Sequence, residues 1–244
     1  MIKHLDLFSG IGGFTLAAQM VGGIKTTQFV EIDPFCQKVL EIRFPSVQIH
    51  DDIQTFNAAA GEFDLITGGF PCQDISAANS KGRGLEGDRS GLFFEIVRLV
   101  RQIRPRYLVL ENTSALLTHR GGRDMGAVLW ELSQIGLDAE WSVVSCCALG
   151  APHTRERVFI VAYPDGKHGA GRMAVSRAHS QHLQQGHSHQ GTSCWQGAIP
   201  SPPGVANGLP DRVDRLRSLG NSVSPQAAAV ALGRVKALSE RGAA

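Results

Sequence analysis

The chain of 244 residues is 43% hydrophobic and 19% charged, enough apolar material for one substantial core with a small appendage. With no run of about 18 apolar residues, and no apolar stretch or cleavage site in MIKHLDLFSG, a soluble, cytoplasmic protein without membrane segments is expected. Five cysteines without a CxxC pair argue against a disulfide framework or zinc ribbon, and the net charge of +2 hides an asymmetry: residues 1–150 carry 13 Lys/Arg against 17 Asp/Glu, residues 151–244 carry 11 against 5, so the C-terminal part suits a polyanion or a solvated basic surface.

The first 163 residues alternate β-rich runs with helix-like stretches, the pattern of an α/β unit with a mostly parallel sheet. A first strand over residues 5–8 runs into Ser9-Gly10-Ile11-Gly12-Gly13-Phe14 and a helix over 13–20. Such a turn lets a ligand approach the backbone and offers a helix N-terminus to an anionic group, although glycines used only for packing give the same pattern. The second strand, 27–32, carries Glu31 near its end, about 20 residues past the turn, where an acidic side chain commonly binds ribose hydroxyls. GxGG is shorter than the dinucleotide fingerprint GxGxxG, which points away from NAD and toward another adenosine-containing ligand. A helix over 34–44 and a strand over 47–50 lead to Asp52, placed either to accept a hydrogen bond from an adenine amino group or to act as a cap.

A strand over 63–67 is followed by Gly68-Gly69-Phe70-Pro71-Cys72-Gln73, which places the Cys72 thiol at the carboxyl edge of the sheet, where open α/β sheets bind ligands. A structural role fits Cys36 and Cys146 better, because they fall inside predicted elements. After a helix over 92–102, the strand 106–111 ends in Leu108-Val109-Leu110-Glu111-Asn112. Burial would raise the pKa of Glu111 and let it donate a proton, with a capping role as the alternative. Adjacent strand ends bring thiol and acid together, a pair suited to attacking and protonating an electron-poor ring. A helix over 124–135 precedes strands 141–146 and 158–162, which a loop alone separates and which are expected to form a hairpin at the sheet edge.

Composition changes after Tyr163: residues 164–204 are rich in Gly, His, Gln, Ser and Pro and hold His168, His179, His182, His187 and His189. With one cysteine and no regular element to fix ligands, this segment is read as a polar loop and no metal is expected. The apolar pattern resumes in LPDRVDRLRSLGNSV, and an Ala/Val-rich helix starting at Pro225 is expected to pack back on the main unit. The expected division is 1–163, 164–204 and 205–244.

Together these motifs resemble, in order, those of the DNA cytosine-5 methyltransferases: DLFSGIGGF, GGFPCQDIS, LVLENT, GAPHTRERVFIVA and LGNSVSP. The resemblance spans nearly everything outside residues 164–204, with His153 standing where the arginine motif commonly has Gln. It implies a Rossmann-like, S-adenosylmethionine-dependent methyltransferase fold with a terminal hairpin and a small irregular recognition segment at 164–204. The implied enzyme transfers a methyl group from S-adenosyl-L-methionine to C5 of cytosine in double-stranded DNA and releases S-adenosyl-L-homocysteine. The implied setting is the cytoplasm of a bacterial cell, encoded there or by a phage, as a monomer and alongside a cognate restriction endonuclease.

By the same resemblance, Cys72 attacks C6 of a flipped-out cytosine, Glu111 engages N3 and the 4-amino group, and Arg155 and Arg157 hold the intermediate and O2; surface ion pairing is the alternative for the arginines. Phe8, Gly10, Gly12, Gly13, Glu31, Ile32, Asp52, Ile53, Pro71, Leu92, Asn221 and Val223 form the cofactor pocket. Gln73, Ser76, Lys81, Arg83 and Arg89 contact DNA from a glycine-containing loop over 73–91 that closes on the duplex, or that is merely a surface loop.

Overall fold

Strand order β3–β2–β1–β4–β5–β7–β6 defines one seven-stranded sheet, seen in a computed structural model that describes residues 1–70, 91–164 and 211–241. The strands are β1 (Ile2–Leu7), β2 (Ile24–Val30), β3 (Gln48–His50), β4 (Leu65–Gly69), β5 (Tyr107–Thr113), β6 (Leu137–Ser145) and β7 (Glu156–Pro164). The helices are α1 (Gly13–Val21), α2 (Pro34–Arg43), α3 (Leu92–Ile103), α4 (Arg123–Gln134), α5 (Arg212–Asn221) and α6 (Pro225–Arg241). Strands β1 to β5 are mutually parallel, whereas β7 runs antiparallel between β5 and β6. The terminal hairpin and all seven expected strands are therefore present. Strand order reverses between β1 and β4, the switch point where a doubly wound sheet opens a crevice.

Alternation sorts the core into two layers. Leu5 and Leu7 of β1 face α3 and α4, meeting Phe93, Ile96, Val128 and Leu132. The opposite face of the sheet packs Leu65, Val109, Phe159 and Val161 against α1 and α6. β4 and β5 are buried on both faces, which explains their near-continuous apolar runs. In α3, Phe93, Ile96, Val97, Val100 and Ile103 recur at three- and four-residue spacing and make one apolar stripe. α2 starts because Pro34 sits in its first turn and the Asp33 carboxylate accepts from the backbone N–H groups of Phe35 and Cys36.

α6 presents Ala227, Ala228 and Ala231 inward, small side chains that let it lie close to α1. Its docking is fixed by an ion pair between Arg234 Nε and Glu140 Oε1 at 2.6 Å, nearly buried, and by Lys236 Nζ donating to the Val21 carbonyl at 3.0 Å. α5, which the sequence reading did not single out as a helix, is held on α2 mainly by polar contacts. Arg217 pairs with Asp33 at 2.9 Å, and the Cys36 thiol lies 3.4 Å from the Ser218 hydroxyl.

β1 begins at Ile2, three residues earlier than predicted, because Lys3 and His4 interrupt the apolar run only in sequence: His4 is fully buried. Phe8 has left the strand with φ of 51°, a left-handed conformation uncommon for a bulky residue. β5 continues to Thr113, so Glu111 lies inside the strand and not at its last residue.

Candidate active site

The loops leaving β1 and β2 lie at one edge of the sheet with the carboxyl ends of β4 and β5. At Gly10, φ is +53° and a Cβ would meet nothing within 4 Å, so this glycine serves the shape of the turn and leaves the space before it open. Its N–H donates to Glu31 Oε2 at 2.6 Å, while Glu31 Oε1 accepts from the Asp33 N–H at 2.8 Å. Glu31 thus locks the glycine turn to the end of β2, and its carboxylate keeps lone pairs for a hydroxyl-bearing ligand. Ile32 beside it is 72% exposed, an apolar side chain standing free at this edge.

The other glycines answer to packing. A Cβ on Gly12 would lie 2.4 Å from the Phe44 ring, and one on Gly13 would lie 2.5 Å from the Val223 carbonyl oxygen. The Gly13 contact brings the C-terminal link against the start of α1. Gly13→Ala is expected to destabilise the fold by about 1–3 kcal/mol, because a backbone oxygen yields less readily than a side-chain end. An unchanged urea midpoint would show that this contact relaxes without cost.

Asp52 makes the capping contact, its Oδ1 accepting from the Gln54 N–H at 2.9 Å. Ile53 is buried in the core, so only its backbone is left to face a ligand, and Leu92, half-buried at the first turn of α3, packs against the same core. Asn221 ends α5, and Val223 lies in the short link to α6.

The acid of the site is Glu111, 8% exposed. It is the register partner of Gly69, and a Cβ on Gly69 would stand 3.1 Å from Glu111 Oε2, so glycine there leaves room for the carboxyl group. Arg157 Nε donates to Glu111 Oε1 at 2.8 Å. Burial pushes the pKa of Glu111 up, and the pull of Arg157 and Arg155 in the other direction does not cancel it. Arg155 donates to the carbonyls of Gly220 at 3.0 Å and Ser222 at 2.7 Å, tying the start of β7 to the junction of α5 and α6. Its Nε is buried with no hydrogen-bond partner among the described residues.

Asn112, to which the sequence reading gave no role, donates from Nδ2 to the Phe70 carbonyl at 2.8 Å. It pins the chain two residues ahead of Cys72, and only its neighbour Glu111 drew attention to it. Cys36 and Cys146 are buried, as a structural role requires. Pro71, Cys72, Gln73, Ser76, Lys81, Arg83 and Arg89 lie outside the described residues, as do the five histidines between 168 and 189.

A glycine turn at a topological switch point, an acid after β2 and an antiparallel β7 inserted beside β5 define the α/β fold of S-adenosylmethionine-dependent methyltransferases. A family profile described as C-5 cytosine-specific DNA methylase matches residues 2–198, and the chain belongs to that family. It is 33% identical over 164 residues to the type II methyltransferase M.DsaV of Dactylococcopsis salina, covering 67% of this chain and 46% of that protein. It is 35% identical over 165 residues to M.NgoBI of Neisseria gonorrhoeae, covering 68% and 51%. The chain therefore spans about half the length of the curated relatives it matches. Among solved structures, a prophage-encoded E. coli protein assigned as a DNA modification methyltransferase is 26% identical with a TM-score of 0.54, covering 67% of this chain and 47% of that one. Spodoptera frugiperda DNMT2, 20% identical with a TM-score of 0.56 and coverage of 70% and 53%, shares the fold.

Proposed function

We propose that this chain is a DNA cytosine-5 methyltransferase that uses S-adenosyl-L-methionine and attacks its target base through Cys72. The observation that carries the reading is Glu111: a buried carboxyl group with a raised pKa, held by Arg157 and paired in register with Gly69, three residues before Cys72.

The open space at Gly10, the lone pairs of Glu31 and the exposed Ile32 fit an adenosine moiety at the end of β2. When bound, the cofactor supplies an electrophilic methyl group on a sulfonium. The protein does the rest. Cytosine C5 is a poor nucleophile while the ring is aromatic, so the Cys72 thiolate adds to C6 and its bond pushes electron density to C5. Glu111, protonated longer than an exposed glutamate, donates at N3 and lets the ring accept that density. Arg157 orients Glu111 and, with Arg155, holds O2 and offsets the negative charge that builds on the ring. After C5 takes the methyl, the C5 proton leaves to a base, the C6–sulfur bond breaks, N3 returns its proton to Glu111, and the aromatic ring returns. These atoms are hidden in a duplex, so the base must be flipped out, at a cost of a few kcal/mol. The loop over 73–91 with Gln73, Ser76, Lys81, Arg83 and Arg89 covers it. The setting proposed is a bacterial or phage modification system with a cognate endonuclease. No helix among the described residues is long and apolar enough to cross a membrane.

The test is methyl transfer from labelled S-adenosyl-L-methionine to mixed-sequence duplex DNA and to tRNA, alongside a duplex containing 5-fluorocytosine, whose fluorine cannot leave as a proton does. A labelled covalent complex on the fluorinated duplex is expected. Transfer to tRNA alone would replace the DNA assignment. Glu31→Ala is expected to weaken cofactor affinity by about 10- to 100-fold, the worth of one or two hydrogen bonds to a charged group. Unchanged affinity by calorimetry would remove Glu31 from the ribose role.

A further inference from the structure

Beneath the glycine turn, on the α1 side of the sheet, five side chains close a polar ring. His4 and Asp6 project from the same face of β1 and are fully buried. His4 Nδ1 lies 2.7 Å from Thr26 Oγ1 on β2, and His4 Nε2 lies 2.8 Å from Thr67 Oγ1 on β4. Thr67 Oγ1 is 2.8 Å from Asp6 Oδ1, and Thr15 Oγ1, in the first turn of α1, is 3.1 Å from both Asp6 Oδ2 and Thr26 Oγ1.

Hydrogens can be counted around this ring. Three threonine hydroxyls supply three and a neutral imidazole one, which leaves four hydrogens for five contacts. The fifth must come from a proton on Asp6 or a second proton on His4. With Asp6 protonated, every side chain can donate once around the ring: Asp6 Oδ2–H to Thr15, Thr15 to Thr26, Thr26 to His4 Nδ1, His4 Nε2–H to Thr67, and Thr67 to Asp6 Oδ1, while the Thr15 backbone N–H also donates to the Asp6 carboxyl group. Burial disfavours the alternative, an imidazolium facing a carboxylate: it pushes His4 down to about 3 and Asp6 up to about 7. Glu31 at the end of β2 is the one charged neighbour acting on Asp6 among the described residues and works in the same direction; α1 presents Thr15, β4 presents Thr67, and α6 presents an alanine face. If Asp6 loses the proton while His4 is neutral, its carboxylate draws both Thr67 and Thr15 as donors. While His4 keeps its hydrogen on Nε2, Thr15 and Thr26 are then left oxygen to oxygen with no hydrogen between them and the link from α1 to β2 opens; with that hydrogen on Nδ1 the empty link is His4 Nε2 to Thr67 instead.

The ring sits where it can act on the site. The Asp6 carbonyl accepts from the Ser9 hydroxyl at 2.6 Å inside the glycine turn, Thr15 anchors the helix that the turn launches, and Thr67 belongs to the strand that leads toward Cys72. We propose that His4 and Asp6 are positioning residues for the glycine turn, sharing one proton that closes the ring, and that loss of this proton loosens α1 and weakens cofactor binding. The cofactor half of the proposal rests on the methyltransferase reading above; the ring does not.

The linkage has a definite sign. Between the ordinary aspartate value of 3.8 and the ordinary histidine value of 6.5, the unfolded chain carries one proton on His4 and the folded chain carries one on Asp6, so this pair makes stability flat with pH. Above 6.5 the unfolded chain loses that proton while the ring keeps it to about 7, and stability falls as pH rises. Below 3.8 the unfolded chain takes a second proton that the ring refuses down to about 3, and stability falls as pH drops.

Infrared difference spectra of the whole chain against Asp6→Asn should show the carbonyl stretch of an un-ionised carboxylic acid at mildly acid pH, fading as pH rises through about 7. Between about pH 6 and about pH 8.5, affinity for S-adenosyl-L-homocysteine by calorimetry should fall about two- to tenfold in the wild type, the worth of one neutral hydrogen bond. In Asp6→Asn, whose amide supplies a permanent N–H, it should stay flat. Amide exchange along α1, compared with Asp6→Asn at each pH, should quicken in the wild type over the same range whether or not cofactor binds. If Asp6→Asn does not fold, Thr15→Val, which cuts the ring at α1 and keeps both titrating groups, takes its place as the pH-flat variant. No acid band in the wild type overturns the shared proton, and an equal pH response in wild type and variant overturns its coupling to the turn. A wild type that shows the band and the exchange change yet binds no cofactor supports the ring and rejects the methyltransferase reading instead.

Discussion

Cys72→Ser is expected to abolish methyl transfer, by a factor on the order of 10^4 or more, while S-adenosyl-L-homocysteine affinity stays within error of the wild type. A thiol with an ordinary pKa near 8.5 supplies about a few per cent thiolate at neutral pH, and thiolate is an intrinsically strong nucleophile. A serine hydroxyl supplies essentially no alkoxide there, so addition to C6 stops although the pocket around the adenosine is untouched. Labelled methyl incorporation and calorimetry on the same preparation check both halves. Turnover at the wild-type rate would sink covalent catalysis through this residue, and loss of both turnover and binding would place Cys72 in the cofactor pocket or the fold.

Glu111→Gln comes second in expected size, a loss of about 10^2- to 10^4-fold in kcat, the usual worth of a positioned acid or base. Glutamine keeps the length of the side chain and can still engage N3, but it has no proton to give. The pH profile separates this from damage to the fold. Burial raises the Glu111 pKa above that of an ordinary glutamate, so its proton persists to higher pH and the wild-type rate should fall as pH rises through that value. In Glu111→Gln that alkaline limb should vanish. If it survives, another group titrates. The same shift makes Glu111 contribute stability that is full below its unfolded pKa and lost as pH rises through the folded one.

Strand and helix identities were legible in the sequence wherever burial is apolar and periodic, as in α3 and β5. Polar burial leaves no such pattern. The apolar run alone starts β1 at Leu5, because His4 does not look like a core residue, and it becomes one only through Thr26 and Thr67, 22 and 63 residues away in the chain. The sequence does not mark α5 as a helix, because its apolar residues Val213, Leu216 and Leu219 stay exposed and its hold on α2 runs through Asp33 and Cys36. In the site, Glu111 stood out as a carboxyl group closing an apolar run, and the glycine turn with Glu31 stood out by spacing. That Gly12 and Gly13 answer to Phe44 and to the Val223 carbonyl could not be read, because those partners are set by tertiary packing and not by any local pattern. The role of Asn112 was hidden for the same reason: its acceptor is a backbone carbonyl, which no residue type signals.

The two carbonyls that Arg155 grips, at Gly220 and Ser222, and the lysine contact between Lys236 and Val21, 215 residues apart in the chain, have a consequence in time. Chains emerge from the ribosome N-terminus first and fold as they emerge. Strands β1 to β7 are all made before residue 165, yet the arginine anchor and the wall behind Gly13 must wait until α5 and α6 have been translated and have docked. A growing chain thus holds its acid, its glycine turn and its Cys72 well before it holds a finished pocket. The pocket should close only after residues 212–241 have emerged, and a product that stops before Arg212 should lack both the arginine anchor and the wall behind Gly13.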